Sequence, residues 1–281
     1  MIDTSKILKN LGIQLLFDFF DIKEAIIFAL DHEIKVLELN LNNIYFTEQL
    51  TSKRYRQALK KFLIGKPIRL QFHAQEGLTF FLSTPRAQRF IIETYEELIE
   101  NASEVGVYSI TFHLGTDMSF GMTGKKLMTY EVYPDYYRNL IYQTLNTIKR
   151  LIPKNLYLCV ENVGGFRYPF VLELIPKLLS KNFCLTLDIG HINRFTGEDK
   201  KREQDFFYKY RAYIKNVHIH DNDGAWDQHN IIGEGNIDFK YYFDYLTSID
   251  TSYIFEVRPK ESALECLRRF RKLLEHWEVM S

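Results

Sequence analysis

The stretch NLYLCVENVGGFRYPFVLELIPKLLSKNFCLTLD, residues 155–188, reads as strand, crossover helix, strand. NLYLCVE (155–161) and NFCLTLD (182–188) are short, mainly apolar runs of the kind that a parallel sheet buries on both faces. Between them, YPFVLELIPKLLS carries apolar residues at helical spacing. Both strands end on a carboxylate, Glu161 and Asp188.

The alternation continues in both directions. Upstream lie GIQLLF (12–17), IKVLELNL (34–41), PIRLQFH (67–73) and VYSITFH (107–113), and downstream YIKNVHIH (213–220) and SYIFEV (252–257). The connections read as helices: DIKEAIIFALDH, TSKRYRQALKKFL, STPRAQRFIIETYEELIENASEVG, YEVYPDYYRNLIYQTLNTIKRLI, a polar helix near 199–212, and DFKYYFDYLTS. The amphipathic ESALECLRRFRKLLEHW closes the series. Eight strand–helix units in 281 residues predict an α/β fold, a single (β/α)8 TIM barrel over residues 1–281 with an apolar interior. A doubly wound open sheet would carry a glycine-rich loop after its first strand, and LLFDFFD has none.

Composition narrows the function classes. Thirty-six basic residues balance 36 acidic ones, which argues against a strongly basic nucleic-acid binder. Cys159, Cys184 and Cys266 show no CxxC spacing and cannot all pair internally, so a reducing, cytoplasmic setting is expected. No apolar run reaches the roughly 18 residues of a membrane span. The opening MIDTSKILKNLG lacks a signal-peptide cleavage pattern, and no membrane partner is expected. The aromatic content of 15% leaves a homodimer open.

The strand ends carry the chemistry. His73, His113, Glu161, Asp188, His218 and Glu256 fall at or near the ends of six consecutive strands, the rim where barrel enzymes keep their sites. His191 in DIGH, and Asp227 with His229 in WDQH, sit in the loops just beyond. Singly, each has an ordinary reading as a capping or hydrogen-bonded group. Together, nine imidazoles and carboxylates converging on one cup need cations between them, because buried charges are paired or bind metal. The donors are all nitrogen or oxygen, which points to divalent zinc first, with manganese, cobalt or iron as alternatives, at one to three ions per chain. His220 shares the face of His218 and is a candidate substrate contact, as are Arg258 and Arg194 toward an anionic group. The GEG run (233–235) supplies permissive backbone where the last ligand loop turns back.

TFHLG, VENVGG, LTLDIGHINRFTG and VHIHDNDGAWDQHNIIGEGNIDF resemble the xylose-isomerase-like TIM barrels, and the resemblance covers nearly the whole chain. That group holds the sugar-phosphate isomerase/epimerase family and the endonuclease IV family of abasic-site (AP) nucleases. The resemblance implies a three-zinc cluster of the endonuclease IV kind, with all nine residues above matching its ligand types. It equally implies the single metal of the sugar epimerases, matched by Glu161, Asp188, His218 and Glu256. LDIGHIN and HIHDNDG look more like the isomerases, and AQEGLTFFLS after His73 and HLGTD after His113 depart from the nuclease pattern.

The reading that follows is a metal-dependent isomerase or epimerase of a small sugar or sugar phosphate. Glu161 and Glu256 would be the catalytic pair, moving a proton through a metal-stabilised enediolate. The alternative is a trinuclear zinc phosphodiesterase acting on abasic-site DNA.

Overall fold

The computed structural model describes residues 4–279. Eight parallel strands close into a barrel: β1 (Leu11–Leu15), β2 (Val36–Asn40), β3 (Arg69–His73), β4 (Ser109–Phe112), β5 (Tyr157–Glu161), β6 (Phe183–Asp188), β7 (Ile214–Ile219) and β8 (Ser252–Phe255). Each pairs with its sequence neighbours. Closure comes from β1, which pairs with β2 from Gly12↔Val36 to Leu15↔Leu39 and with β8 from Leu11↔Tyr253 to Ile13↔Phe255. Gly12 sits at that seam, where a Cβ would lie 2.2 Å from the Val36 carbonyl oxygen. All eight runs read from the sequence are strands here.

The helices that follow the strands are α1 (Ile22–Asp31), α2 (Lys53–Leu63), α3 (Pro85–Val105), α4 (Pro134–Leu151), α5 (Pro169–Leu178), α6 (Gly197–Lys209), α7 (Phe239–Leu246) and α8 (Lys260–Val279). Their starts follow local chemistry. Asp21 caps α1 by accepting from Lys23 N at 2.7 Å, and Thr84 caps α3 just ahead of Pro85. Gly106, at φ 91°, ends α3 in the left-handed region. The main core lies between sheet and helices, where Leu37, Phe72, Phe112, Val160, Leu187 and Phe255 are among the buried side chains.

Several short elements lie outside the strand–helix reading, among them the helices Thr4–Leu8 and Ile189–Asn193. A further helix, Ile44–Thr51, precedes α2. The segment 114–130 contains a hairpin in which Ser119–Met122 pairs antiparallel with Lys125–Met128. Asp117 anchors its base, accepting from Tyr130 N at 2.7 Å and from Thr129 Oγ1.

The barrel interior corrects an expectation. It is not apolar but a hydrogen-bonded polar column. Gln71 of β3 donates to Ser252 of β8 at 3.2 Å, and Asn216 of β7 donates to Thr111 of β4 at 3.0 Å and to Glu38 of β2 at 2.7 Å. Thr111 and Thr186 share a bond of 2.8 Å. Cross-barrel bonds of this kind are possible only for inward side chains, so the period-2 alternation puts polar groups inside and apolar ones against the helices. Among the described residues no helix is long and apolar enough to cross a membrane.

Candidate metal centre

The parity that points Glu38, Thr111 and Asn216 inward also delivers the strand-end ligands to the top of the same column. His73 ends β3, Glu161 ends β5, Asp188 ends β6, and His218 lies one residue from the end of β7. His113 and Glu256 stand one residue beyond β4 and β8. Asp188 caps the short helix Ile189–Asn193, accepting from His191 N at 2.7 Å, and this turn carries His191 back over the cup.

Glu161 is the hub. Its Oε2 lies 3.3 Å from His73 Nε2, 3.1 Å from His113 Nε2 and 3.5 Å from His218 Nδ1, and its Oε1 lies 3.2 Å from His191 Nδ1. His218 Nδ1 is also 2.9 Å from Glu256 Oε2 and 3.9 Å from Asp188 Oδ2. His191 Nε2 reaches Asp227 Oδ2 at 3.0 Å, and His229 Nε2 reaches the same oxygen at 3.2 Å. All nine sequence-proposed ligands therefore belong to one connected cluster. Glu161, Asp188, His218 and Glu256 each offer a donor atom within 4.8 Å of the others.

Four of these imidazoles have acceptors at both nitrogens. His73 Nδ1 donates to the Ala74 carbonyl at 2.9 Å, and His229 Nδ1 donates to the Glu256 carbonyl at 2.7 Å. His218 Nε2 faces Glu38 Oε1 at 2.9 Å, and His191 lies between Glu161 and Asp227. Oxygens on both sides of a ring favour its doubly protonated form unless a cation takes the place of one proton. Burial alone would lower the His73 and His229 pKa values. The carboxylates, chiefly Glu161 for His73 and Asp227 for His229, outweigh it and raise both to about 9. His191 and His218 are raised well above the usual histidine range against the same burial penalty, His191 mainly by Asp188 and His218 mainly by Glu38. Conversely, burial would raise the carboxylates, yet the imidazoles hold Glu161 and Glu256 well below the ordinary range and lower Asp188 and Asp227.

Asp188 Oδ2, His191 Nδ1, His218 Nδ1 and Asp227 Oδ1 are buried and make no hydrogen bond. Orphaned donors and acceptors of opposite type facing one another fit divalent cations bound in place of protons. The donor set contains no thiolate: Cys159, Cys184 and Cys266 are free and buried, with burial pushing the thiols of Cys184 and Cys266 up to about 12.

A family profile described as "Xylose isomerase-like TIM barrel" matches residues 29–273. The chain belongs to this family. Among solved structures, a D-tagatose 3-epimerase-like protein superposes with a TM-score of 0.77 at 21% identity, over 97% of this chain and 100% of that one. Endonuclease IV from Thermus thermophilus superposes with a TM-score of 0.67 at 17% identity, over 95% and 99%. The Methanocaldococcus jannaschii protein MJ1311, described as uncharacterized, is 24% identical over 206 residues. That alignment takes in 70% of this chain and 65% of the relative, so the chain spans just under two thirds of MJ1311.

The loop after β7 is held by a residue that sequence reasoning passed over. Asp221 accepts from Gly233 N at 2.9 Å, Asn222 N at 3.0 Å and Ile237 N at 3.3 Å, and its backbone pairs with Asn230. This clamp fixes the positions of Asp227 and His229, the latter at φ 48°, a left-handed conformation uncommon outside glycine. Glu38 was passed over too. It lies fully buried beneath His218 and receives Gln14 Nε2 at 3.0 Å as well. Its signal was a charge at an inward position of the otherwise apolar run VLEL.

The three substrate-contact candidates are placed differently. Arg258 Nη2 donates to Glu256 Oε1 at 2.7 Å and to Gln14. Arg194 is exposed in the turn after the helix Ile189–Asn193. His220 is fully buried against Asp188 and Asp227. Arg167 pairs with Glu203 at 3.4 Å and donates to the His191 carbonyl at 3.2 Å.

Proposed function

We propose that this protein is a divalent-metal-dependent enzyme that isomerises or epimerises a small sugar or sugar phosphate. The observation that carries the reading is the meeting of Glu161 and Glu256, from strands on different sides of the barrel, in one buried cluster with Asp188 and His218. Zinc is the first choice of cation, with manganese, cobalt or iron(II) as alternatives. Bound there, a cation would act as a Lewis acid toward neighbouring oxygens of the substrate.

The chain's own groups then divide the work. Glu161 and Glu256 stay ionised at neutral pH, the form that can accept a proton from a carbon next to a carbonyl. Reaching the same spot from two strands, one removes the proton and the other returns it, either to the neighbouring carbon or to the opposite face of the same carbon. Arg258, bonded to Glu256, orients that carboxylate and offers positive charge to an anionic substrate group.

A second reading, phosphodiester hydrolysis of abasic-site DNA, draws support from the inclusion of His191, Asp227 and His229, more donors than one cation needs. The rim argues the other way. Phe17, Phe20, Ile44, Met118, Phe120, Met122 and Trp226 are exposed on the segments after β1, β2, β4 and β7, an apolar display beside which the hairpin's Lys125 and Lys126 are a small basic offering to phosphates.

The test is deuterium incorporation from D2O into a panel of ketoses, aldoses and their phosphates, using protein of measured metal content. Exchange at one substrate carbon, lost in Glu161→Gln with substrate binding retained, is the expected result. Metal-loaded protein that exchanges no sugar proton and nicks duplex containing an abasic site overturns the reading.

A further inference from the structure

His220 has no role in the chemistry above, yet it is the most anomalous side chain in the cup. It is fully buried, and neither ring nitrogen makes a hydrogen bond. An imidazole always has at least one N–H to donate and, when neutral, one lone pair to satisfy. Burying both without partners leaves each to bear its full loss of hydration, so such a ring is rare unless something else completes it.

Its surroundings show what that is. His220 Nε2 lies 3.3 Å from Asp188 Oδ1 and 3.5 Å from Asp227 Oδ1, and the second oxygen is itself buried and unpartnered. The ring stacks on His229 with centroids 4.0 Å apart and an interplanar angle of 24°, which aligns the two imidazoles toward the same carboxylate. Donor atoms of His220, Asp227 and His229 lie within 4.8 Å of one another, as do those of Asp188, His191 and His220.

The fold makes deliberate room for this ring. A Cβ on Gly190 would lie 2.0 Å from His220 Cε1 and 2.4 Å from Nε2, so only glycine at 190 admits the imidazole. Asn222 Nδ2, donating to the Gly190 carbonyl at 3.0 Å, holds that backbone in place. A side chain present merely to fill space would not require the glycine.

We infer that His220 is a tenth metal ligand, which binds a divalent cation through Nε2 together with Asp227 and His229. Three protein donors leave a coordination position open to water or substrate, the pattern of a reactive rather than a closed structural site. The inference rests on the reading of the cup as a metal centre, and it adds a donor from His220 to the cation position that Asp227 and His229 already imply beside the Glu161–Asp188–His218–Glu256 cluster.

Two substitutions test it. His220→Phe keeps an aromatic ring in the Gly190 cradle and removes the donor; His220→Asn is smaller and polar, and guards against a packing failure in the first. Wild type and both variants are loaded with zinc, dialysed, assayed for bound metal and titrated against a competing chelator, with folding checked by thermal melting. Wild type is expected to hold at least two zinc ions per chain. Each variant is expected to lose one equivalent or to bind it at least tenfold more weakly, and His229→Ala should lose the same one. Cobalt substitution gives an independent readout, since losing a nitrogen donor changes the visible absorption of that ion. Folded variants with full stoichiometry and unchanged affinity overturn the inference, including the case in which only KM for a substrate moves. A wild type that holds a single zinc overturns it while leaving the metal centre standing; one that holds none overturns both.

Discussion

Replacing Glu38 by glutamine tests whether the polar column beneath the cup sets the chemistry at its top. Glu38 is fully buried, so the substitution cannot act by touching substrate. Its Oε1 faces His218 Nε2 at 2.9 Å and Gln14 Nε2 at 3.0 Å, and its Oε2 accepts from Asn216 Nδ2 at 2.7 Å. A carboxylate accepts on both sides; a carboxamide accepts on one and donates on the other. With its oxygen toward His218, the glutamine sets its NH2 against that of Asn216. With its oxygen toward Asn216, it presents N–H to His218 Nε2, which must then carry no proton, so the proton that a neutral ring keeps sits on Nδ1, the atom that faces Glu161 and Glu256. Either way one buried hydrogen bond to a charged group is lost, worth about 1.5–3 kcal/mol of stability. Where the proton moves to Nδ1, it occupies the position a cation would take, and losing an outer partner of this kind costs roughly 10–100-fold in metal affinity. Urea unfolding of the metal-free protein reads the first quantity, and zinc titration against a chelator reads the second. A Glu38→Gln protein with wild-type stability and wild-type zinc affinity would falsify the claim that Glu38 orients His218.

Other expectations follow from the same geometry. In the metal-free protein, His73 and His229 are raised from 6.5 to about 9, so their contribution to stability is complete below pH 6.5 and disappears as pH rises toward 9. The depressed carboxylates Glu161 and Glu256 contribute above their ordinary value of 4.5 and lose that contribution only in acid. The urea midpoint of apo protein should therefore be highest between about pH 4.5 and 6.5 and fall toward 9; a midpoint that climbs over the alkaline interval contradicts the imidazolium–carboxylate picture. Zinc competes with the same protons, so its affinity should strengthen from about pH 6.5 to 9, measured by chelator competition. Stripping the metal should lower the melting temperature, since a ligand at about a thousand times its Kd adds about 4 kcal/mol; identical melting curves with and without chelator would show that the cup holds no stabilising ion. Gly235→Ala would bring a Cβ to 2.2 Å from Asp221 Oδ1 and 2.3 Å from the Asn222 carbonyl oxygen. It should cost roughly 1–3 kcal/mol and loosen the segment carrying Asp227 and His229, seen as faster proteolysis within 223–237.

Much of the fold was legible because its signals are local. GIQLLF, PIRLQFH and NFCLTLD are strands for reasons carried by a few adjacent residues, and α1 and α3 begin at Asp21 and Thr84 because those side chains cap the helix they precede. The nine ligand candidates could be placed on one rim because strand ends of a parallel barrel all open to the same side. The hairpin within 114–130 was not legible, since Ser119–Met122 is mostly exposed and pairs across a turn rather than by burying an apolar face. The polar column was missed for a related reason. Gln14, Thr111 and Asn216 look like ordinary polar residues in apolar runs until closure of the barrel brings strands far apart in sequence within hydrogen-bond reach.

The sequence by itself determined the repeat of strand and helix and the identity of the donors at the rim, because each depends on periodicity and parity along a short segment. Only the tertiary structure decided which donors meet. It made Glu161 the hub of four imidazoles, put Glu38 under His218, and pressed His220 into the space left by Gly190 with neither nitrogen satisfied. These relations join residues tens to nearly two hundred positions apart, and distances of about 3 Å between such residues depend on register, shear and loop path, which no single stretch of sequence encodes.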